Sequence, residues 1–298
     1  MFYADLHNHT TASDGDYTPE ALITTMKHLG VSVVGVTDHD TVGGLKSALA
    51  QGARLGVEVV PGVEVSVRFK ESFFTGTLHL LCYFKPDLLQ NHEFITTLNT
   101  TLGKGRGEAL IRSRVAETNR IFGPEGEEPM LSREMIHDEI AAYAPSVSRR
   151  HFALALAEKH GIKDPDKINH IIGNSSPAYL PSGIDIATVG AFTSAFPVIT
   201  VLAHPAAGSF PGKGHYSEVL PPVETVERLF PRFLDMGIHG IEISYPGHTP
   251  EHQALMQSWA EKYNLVVTGG SDCHDEVHRP AGVSGISKTQ FDIFKALF

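Results

Sequence analysis

Cysteines and cationic side chains are both scarce in this 298-residue chain. Its two cysteines, Cys82 and Cys273, are too few for a disulfide framework, so stability must come from packing, and a reducing compartment fits. Lys and Arg number 24 against 34 Asp and Glu, a formal net charge of −10 that argues against a broad nucleic-acid-binding face and leaves a local basic pocket open. No apolar run approaches the roughly 18 residues needed to cross a bilayer, and Met1-Phe2-Tyr3-Ala4-Asp5 lacks the basic and apolar regions of a signal peptide. A soluble, cytoplasmic protein is expected, with no membrane contact and no protein partner inferred. There is no Walker-type phosphate loop, no fixed-period repeat and no low-complexity tract. Histidine, by contrast, is plentiful: 17 residues, approaching the Lys and Arg total.

Short β-branched runs alternate with helical segments, as expected for parallel strands joined by helices. The expected strands are 2–6, 31–36, 57–65, 78–84, 198–202, 240–244 and 265–268. Thr18-Pro19-Glu20 and Thr249-Pro250-Glu251 read as helix starts, with Thr as cap and Pro in the first turn. Between Pro86 and Pro197 the rhythm changes to helices, expected over 88–121, 132–143 and 151–160. The resulting organisation is an α/β barrel over 1–86 and 197–298, with a helical inserted subdomain over 87–196. Residues 206–222, rich in Gly and Pro, read as a long loop of the kind that forms lids.

The histidines fall where strands end. His7 and His9 lie two apart at the end of the first strand, so their side chains share a face and can grip one ion. Asp14 follows; His39 ends the second strand, Glu64 the third; His79 lies in the fourth. His204 ends the fifth, and Asp272 and His274 form another i, i+2 pair after the seventh. In a parallel barrel these ends open onto one rim, so nine candidate ligands converge. Asp38 and Asp40 read as turn or supporting carboxylates. Histidine and carboxylate ligands without paired thiolates suit Zn²⁺, Mn²⁺ or Fe²⁺, and Glu64 could bridge two ions about 3.5 to 4 Å apart, a geometry suited to phosphoester hydrolysis. A metal-activated hydroxide would then be the nucleophile, and no Ser-His-Asp arrangement is needed.

Other residues draw plainer readings. His28 and His160 precede helix-ending glycines and read as caps, and His137, His170, His239, His252 and His278 as surface or helix residues. His215, beside Lys213 and Tyr216, is a candidate substrate contact. Cys273 should point away from its neighbouring ligands. The stretch Gly103-Lys104-Gly105-Arg106-Gly107 resembles a phosphate loop only superficially, because no strand leads into it. Lys104, Arg106, Arg112 and Arg114 read mainly as a solvated face. Arg149 and Arg150 stand at a helix start, where side-chain charge, free N–H groups and dipole together favour a phosphate.

His7-Asn8-His9, Asp14, Thr37-Asp38-His39-Asp40-Thr41, Pro61-Gly62-Val63-Glu64, Leu78-His79-Leu80, Ala203-His204-Pro205 and Gly270-Ser271-Asp272-Cys273-His274 together resemble the PHP (polymerase and histidinol phosphatase) superfamily. The resemblance implies a distorted (β/α)₇ TIM-like barrel with two or three divalent ions. By it, His7, His9, Glu64 and Asp272 would hold one ion, Glu64, His79 and His204 a second, and Asp14, His39 and His274 a third. Asp14, Glu64 and His204 would be the catalytic residues.

The insertion resembles the branch of 3′,5′-nucleoside bisphosphate phosphatases and 5′-to-3′ exoribonucleases. Arg149-Arg150-His151-Phe152-Ala153 is similar to that branch's Arg-Pro-His-(Phe/Ile)-Ala phosphate motif, with Arg replacing Pro. Tyr179, in a segment similar to Lys-Pro-Ala-Tyr-Val-Pro, is a candidate for stacking on a base. The implied substrate contacts are therefore Arg149, Arg150, His151 and Tyr179, with His215 added. The implied reaction takes a nucleoside 3′,5′-bisphosphate to the 5′-monophosphate and phosphate. Alternatives are exonuclease action on short 5′-phosphorylated RNA, histidinol-phosphate hydrolysis, and a non-catalytic metal-binding module.

Overall fold

A computed structural model describes residues 2–105, 107–144, 147–173, 175–211, 216 and 220–298. In chain order the elements are β1 (Ala4–Asp5), α1 (Pro19–His28), β2 (Val33–Val36), α2 (Leu45–Leu55), β3 (Glu58–Glu71), β4 (Phe74–Tyr83), α3 (His92–Gly103), α4 (Glu108–Phe122), α5 (His137–Ala141), α6 (Arg149–Lys159) and α7 (Pro165–Ile172). Then come β5 (Ile184–Asp185), α8 (Ile186–Ala195), β6 (Ile199–Leu202), α9 (Val223–Met236), β7 (Gly240–Ser244), α10 (Pro250–Tyr263), β8 (Val266–Gly269) and α11 (Lys288–Lys295). Both Thr-Pro-Glu starts are N-caps: Thr18 accepts from the Ala21 N–H and Thr249 from the His252 N–H.

The strand order is β1-β2-β3-β4-β6-β7-β8, with β5 paired to β3 off that path. The Leu6 N–H donates to the Gly269 carbonyl at 3.1 Å and Asn8 bridges Cys273, so first and last strands meet and the sheet nearly closes into a barrel. An all-parallel barrel is the expectation, and the structure corrects it: β4 runs antiparallel to β3 and to β6. Only Ser72 and Phe73 separate β3 from β4, and so short a link can join antiparallel strands but not parallel ones.

Along the inward face, each strand changes character as it climbs. Val60 on β3, Leu81 and Tyr83 on β4, and Ile199 and Val201 on β6 form an apolar plug with Phe291 and Phe294 of α11. Further up the same faces stand Glu64 on β3 and His79 on β4, because alternate residues of a strand share a side. Val63 and Val65 point the other way, into the layer between strands and helices. The apolar end thus holds the barrel together and the polar end carries the site.

The helical region differs from expectation in detail. The single helix read over 88–121 is two, α3 and α4, broken at the glycine-rich stretch, where Gly107 takes φ +112°. Gly105 lies against Gly183, whose N–H donates to the Gly105 carbonyl at 2.9 Å; a Cβ on Gly105 would come within 2.6 Å of Gly183. The stretch is thus a close backbone crossing. The helix read over 132–143 shrinks to α5, while α7, α8 and β5 have no counterpart in the expectation. Phe94, Leu98 and Leu102 of α3 and Val189 and Phe192 of α8 pack in the barrel's own apolar layer. A separate cluster, including Val115, Phe122, Ile140, Phe152, Leu156 and Ile171, forms the core of α4 to α7, the helical cap. His160 does not cap by its side chain: it is buried, with Nε2 2.6 Å from Glu139 Oε1.

Candidate metal centre

All nine expected ligands meet at the polar end of the barrel. Glu64, fully buried, is their centre. Its Oε2 lies 3.4 Å from His7 Nε2, 3.2 Å from His9 Nε2 and 2.9 Å from His39 Nδ1. Its Oε1 lies 2.9 Å from His79 Nδ1 and 3.0 Å from His204 Nε2. Asp272 Oδ1 lies 3.1 Å from His9 Nε2 and 3.5 Å from His7 Nε2. Asp14 stands 3.5 Å from His274 Nε2 and within 3.9 Å of His39 Nε2. Three overlapping sets, His9-Asp14-His39-His274, His7-His9-Glu64 and His39-Glu64-His79, could each hold an ion, their ligand atoms lying within 4.8 Å of one another.

The donors fit a metal better than they fit one another. His7 Nε2 and His9 Nε2 face each other at 3.2 Å around the buried Glu64 carboxylate, while buried His9 Nδ1 has no hydrogen-bond partner among the described residues. Buried polar atoms are normally paired, and ring nitrogens turned on one another beside a buried carboxylate suit a shared cation better than a hydrogen bond. Burial opposes charge on His9, but hydrogen bonds to Asp272 and Glu64 and their charges outweigh it and push His9 up to about 10. Burial likewise opposes charge on Glu64, yet His39, His79 and His7 hold it well below the usual carboxylate range. Asp14 is held low in the same way by His39 and His274. A divalent cation would take over the role of those protons, so metal uptake releases them.

Supporting contacts explain the geometry. Asp38 accepts from the Thr10 N–H, the Thr10 hydroxyl and the Ser13 hydroxyl, shaping the turn between His9 and Asp14. Asp40 accepts from the Ser66 N–H and hydroxyl, tying the His39 loop to β3. Both supporting roles are as the sequence suggests. Asp40, His204 and Asp272 take positive φ of 48°, 27° and 49°, strain of the kind found at sites where side-chain direction matters. Cys273 is buried and its thiol is pushed up by burial, remote from any nucleophilic role.

Four supporting residues escaped the sequence reading. Arg279 donates to Asp272 Oδ2 at 2.8 Å, and the Tyr245 hydroxyl lies 3.3 Å from the same oxygen. His248, pushed down to about 3 by burial, is neutral; its Nδ1 donates to the Ile243 carbonyl and its Nε2 accepts from the Ala206 N–H. Glu242 meets His7 Nδ1 at 3.1 Å. A signal for Glu242 was present, since Ile241-Glu242-Ile243 repeats the pattern of Val63-Glu64-Val65, a lone acid between apolar neighbours in a strand.

A cavity of about 580 Å³ opens over the cluster, lined on one side by Asp14, Glu64, His204 and Asp272 and on the other by cap residues. Arg149, Arg150 and Tyr179 line it, as do Arg114, expected on a solvated face, and His278, expected as a surface or helix residue. Arg150 is also engaged with the barrel rim, 3.0 Å from Asp16 and 3.7 Å from Asp275. His151 is not among the lining residues: its Nδ1 accepts from the Ser148 N–H at 2.9 Å within the first turn of α6. His215 lies outside the described residues.

The chain is similar to several known proteins. The chain is 26% identical over 273 residues to a 5′-3′ exoribonuclease of Haemophilus influenzae, covering 91% of this chain and 89% of that protein. It is 29% identical to a phosphoribosyl 1,2-cyclic phosphate 1,2-diphosphodiesterase of Eggerthella lenta (92% and 95% covered) and 27% identical to a 3′,5′-nucleoside bisphosphate phosphatase of Chromobacterium violaceum (92% and 88%). A solved structure described as a metal-dependent phosphoesterase, from Bifidobacterium adolescentis, superposes with TM-score 0.74 at 22% identity, covering 99% of this chain and 96% of that one, and so shares the fold. Barrel, ligand cluster and relatives define the class, metal-dependent phosphoesterases. The chain belongs to the PHP domain family, whose profile matches residues 5–173.

Proposed function

We propose that the protein removes the 3′-phosphate of a small nucleotide, a nucleoside 3′,5′-bisphosphate, leaving the 5′-monophosphate. The observation that supports this reading is the cavity, whose size suits a nucleotide and whose lining includes both Arg149 and residues of the ligand cluster. One phosphate can thus sit on the cluster while the other meets a guanidinium, a charge-assisted contact. The likeness to the Chromobacterium violaceum phosphatase supports the same substrate.

The nine cluster residues would hold two or three divalent ions, Mn²⁺, Fe²⁺ or Zn²⁺. Bound ions supply Lewis acidity and a nucleophilic water at neutral pH. Glu64 spans the cluster and fixes the spacing of its two halves. Arg149 holds the phosphate that is not cleaved and Tyr179 packs on the base, while Arg150 keeps the cap on the rim through Asp16 and Asp275. Asp14 and His204 line the cavity beside Glu64 and are assigned the proton transfer. A cytoplasmic site of action accords with a nucleotide substrate and two buried free thiols.

The test is phosphate release from adenosine 3′,5′-bisphosphate by Mn²⁺-loaded protein, with chelated protein as control. One phosphate and AMP are expected. A second reading, exonuclease action on 5′-phosphorylated RNA, is favoured by the Haemophilus influenzae relative and weakened by the acidic balance. Mononucleotide release from such RNA, with the bisphosphate untouched, would establish it instead. Turnover confined to phosphoribosyl 1,2-cyclic phosphate would overturn both.

A further inference from the structure

We infer that Glu242 is a positioning residue that orients His7 and His204 together, so that the two ends of the ligand cluster gain and lose metal as a unit. The inference rests on reading that cluster as a metal centre. Glu242 is the middle residue of β7 and is fully buried, with Ile241 and Ile243 turned to the apolar layer on the other face. A carboxylate there has no solvent, so its charge must be matched by donors. It has two.

The first is the His7 ring. Both Glu242 oxygens lie 3.1 to 3.2 Å from His7 Nδ1. A carboxylate has no hydrogen to give, so Nδ1 carries the proton and donates, and Nε2 is the nitrogen presented to Glu64 and Asp272, 3.4 and 3.5 Å away. Without that partner the imidazole could turn or exchange tautomers, and Nδ1 rather than Nε2 would bear the lone pair.

The second donor is the His204 backbone N–H, 2.9 Å from Glu242 Oε2. His204 sits at φ +27°, a conformation a non-glycine residue keeps only when its surroundings hold it. That backbone aims His204 Nε2 at Glu64 Oε1, 3.0 Å away. His7 follows β1 and His204 follows β6, and the carboxylate on β7 is where the two meet. One side chain therefore fixes a ring at one end of Glu64 and a strained turn at the other, and neither can shift without releasing an acceptor the other uses.

The test uses full-length Glu242→Gln, Glu242→Asp and Glu242→Ala variants, each stripped and reloaded with Mn²⁺. Half-loading is read by metal analysis against a competing chelator, and the metal-free melting temperature is measured alongside. Glu242→Gln, which removes the charge and one of the two acceptor oxygens, should need roughly 10- to 100-fold more free Mn²⁺ for half-loading and release its Mn²⁺ in separate phases where the wild type releases it in one. Glu242→Asp, with the charge retained, should recover part of that loss. Wild-type half-loading in both Glu242→Gln and Glu242→Ala would overturn the role, as would a lowered metal-free melting temperature with unchanged affinity. Two-phase release by the wild type, or one-phase release by Glu242→Gln, would overturn the coupling. If wild-type protein takes up no Mn²⁺, the metal-centre reading itself falls and this inference with it; a loaded wild type with unaffected variants sinks Glu242 alone.

Discussion

The barrel mouth and the helical cap handle charge in opposite ways. At the mouth, Glu64, Asp14 and Asp272 are buried among imidazoles and Arg279, each anchored at or beside a strand. On the cap, Arg120 pairs with Glu117 and Glu127, and Arg112 with Glu108, at the surface over an apolar core. Buried charges of the first kind cannot lose a partner cheaply, whereas exposed pairs of the second kind are worth about 0.2–1 kcal/mol each. The mouth is therefore a fixed instrument and the cap a surface that tolerates revision.

Three measurements sharpen or break that contrast. The largest effect belongs to Glu64→Ala, which removes the residue both halves of the cluster share. Activity should fall by more than the ~100-fold that losing an outer partner costs, with bound metal lost in parallel. Full activity in Glu64→Ala would end the two-metal account. Next come the two arginines. Arg149→Ala should raise KM about 10- to 100-fold with kcat less affected, as expected for a lost charge-assisted phosphate contact. Arg150→Ala, already engaged with Asp16 and Asp275, should change KM only a few-fold. Equal effects in steady-state assays would make Arg150 a substrate contact as well.

The smallest effect is on stability. His248 is pushed down to about 3 by burial, whereas the unfolded chain's histidine titrates near 6.5. Below that value the unfolded chain binds a proton that the folded protein refuses, so stability falls with decreasing pH through this window. Between pH 6.5 and 5 the loss is roughly 1.5 kcal/mol. Protonation of His7 and His9, which the fold favours, pulls the other way in metal-free protein. The check is accordingly the difference in pH slope between wild type and His248→Asn in denaturant unfolding; identical slopes would rule the assignment out.

Much of the site was legible because its ligands come in short-range patterns. His7 with His9, and Asp272 with His274, are i, i+2 pairs that declare a shared face whatever surrounds them. The direction of β4 was not legible in the same way, since alternation of apolar and polar residues is the same in parallel and antiparallel strands; only the two-residue link to β3 decides it. Arg150's engagement with Asp16 and Asp275, far off in the chain, had no local signal. His151 stands in the stretch similar to a phosphate motif, and its Nδ1 also accepts from the Ser148 N–H in the first turn of its own helix.

Gly105 and Gly183 touch, and the whole cap lies between them. Seen from the barrel, that long stretch of chain leaves and returns at a single neck. The entropy of closing a loop grows only with the logarithm of its length, so the barrel is nearly indifferent to what is threaded there. A chimaera spliced at these two glycines would exchange the cap residues that line the cavity while leaving the barrel's ligand cluster in place.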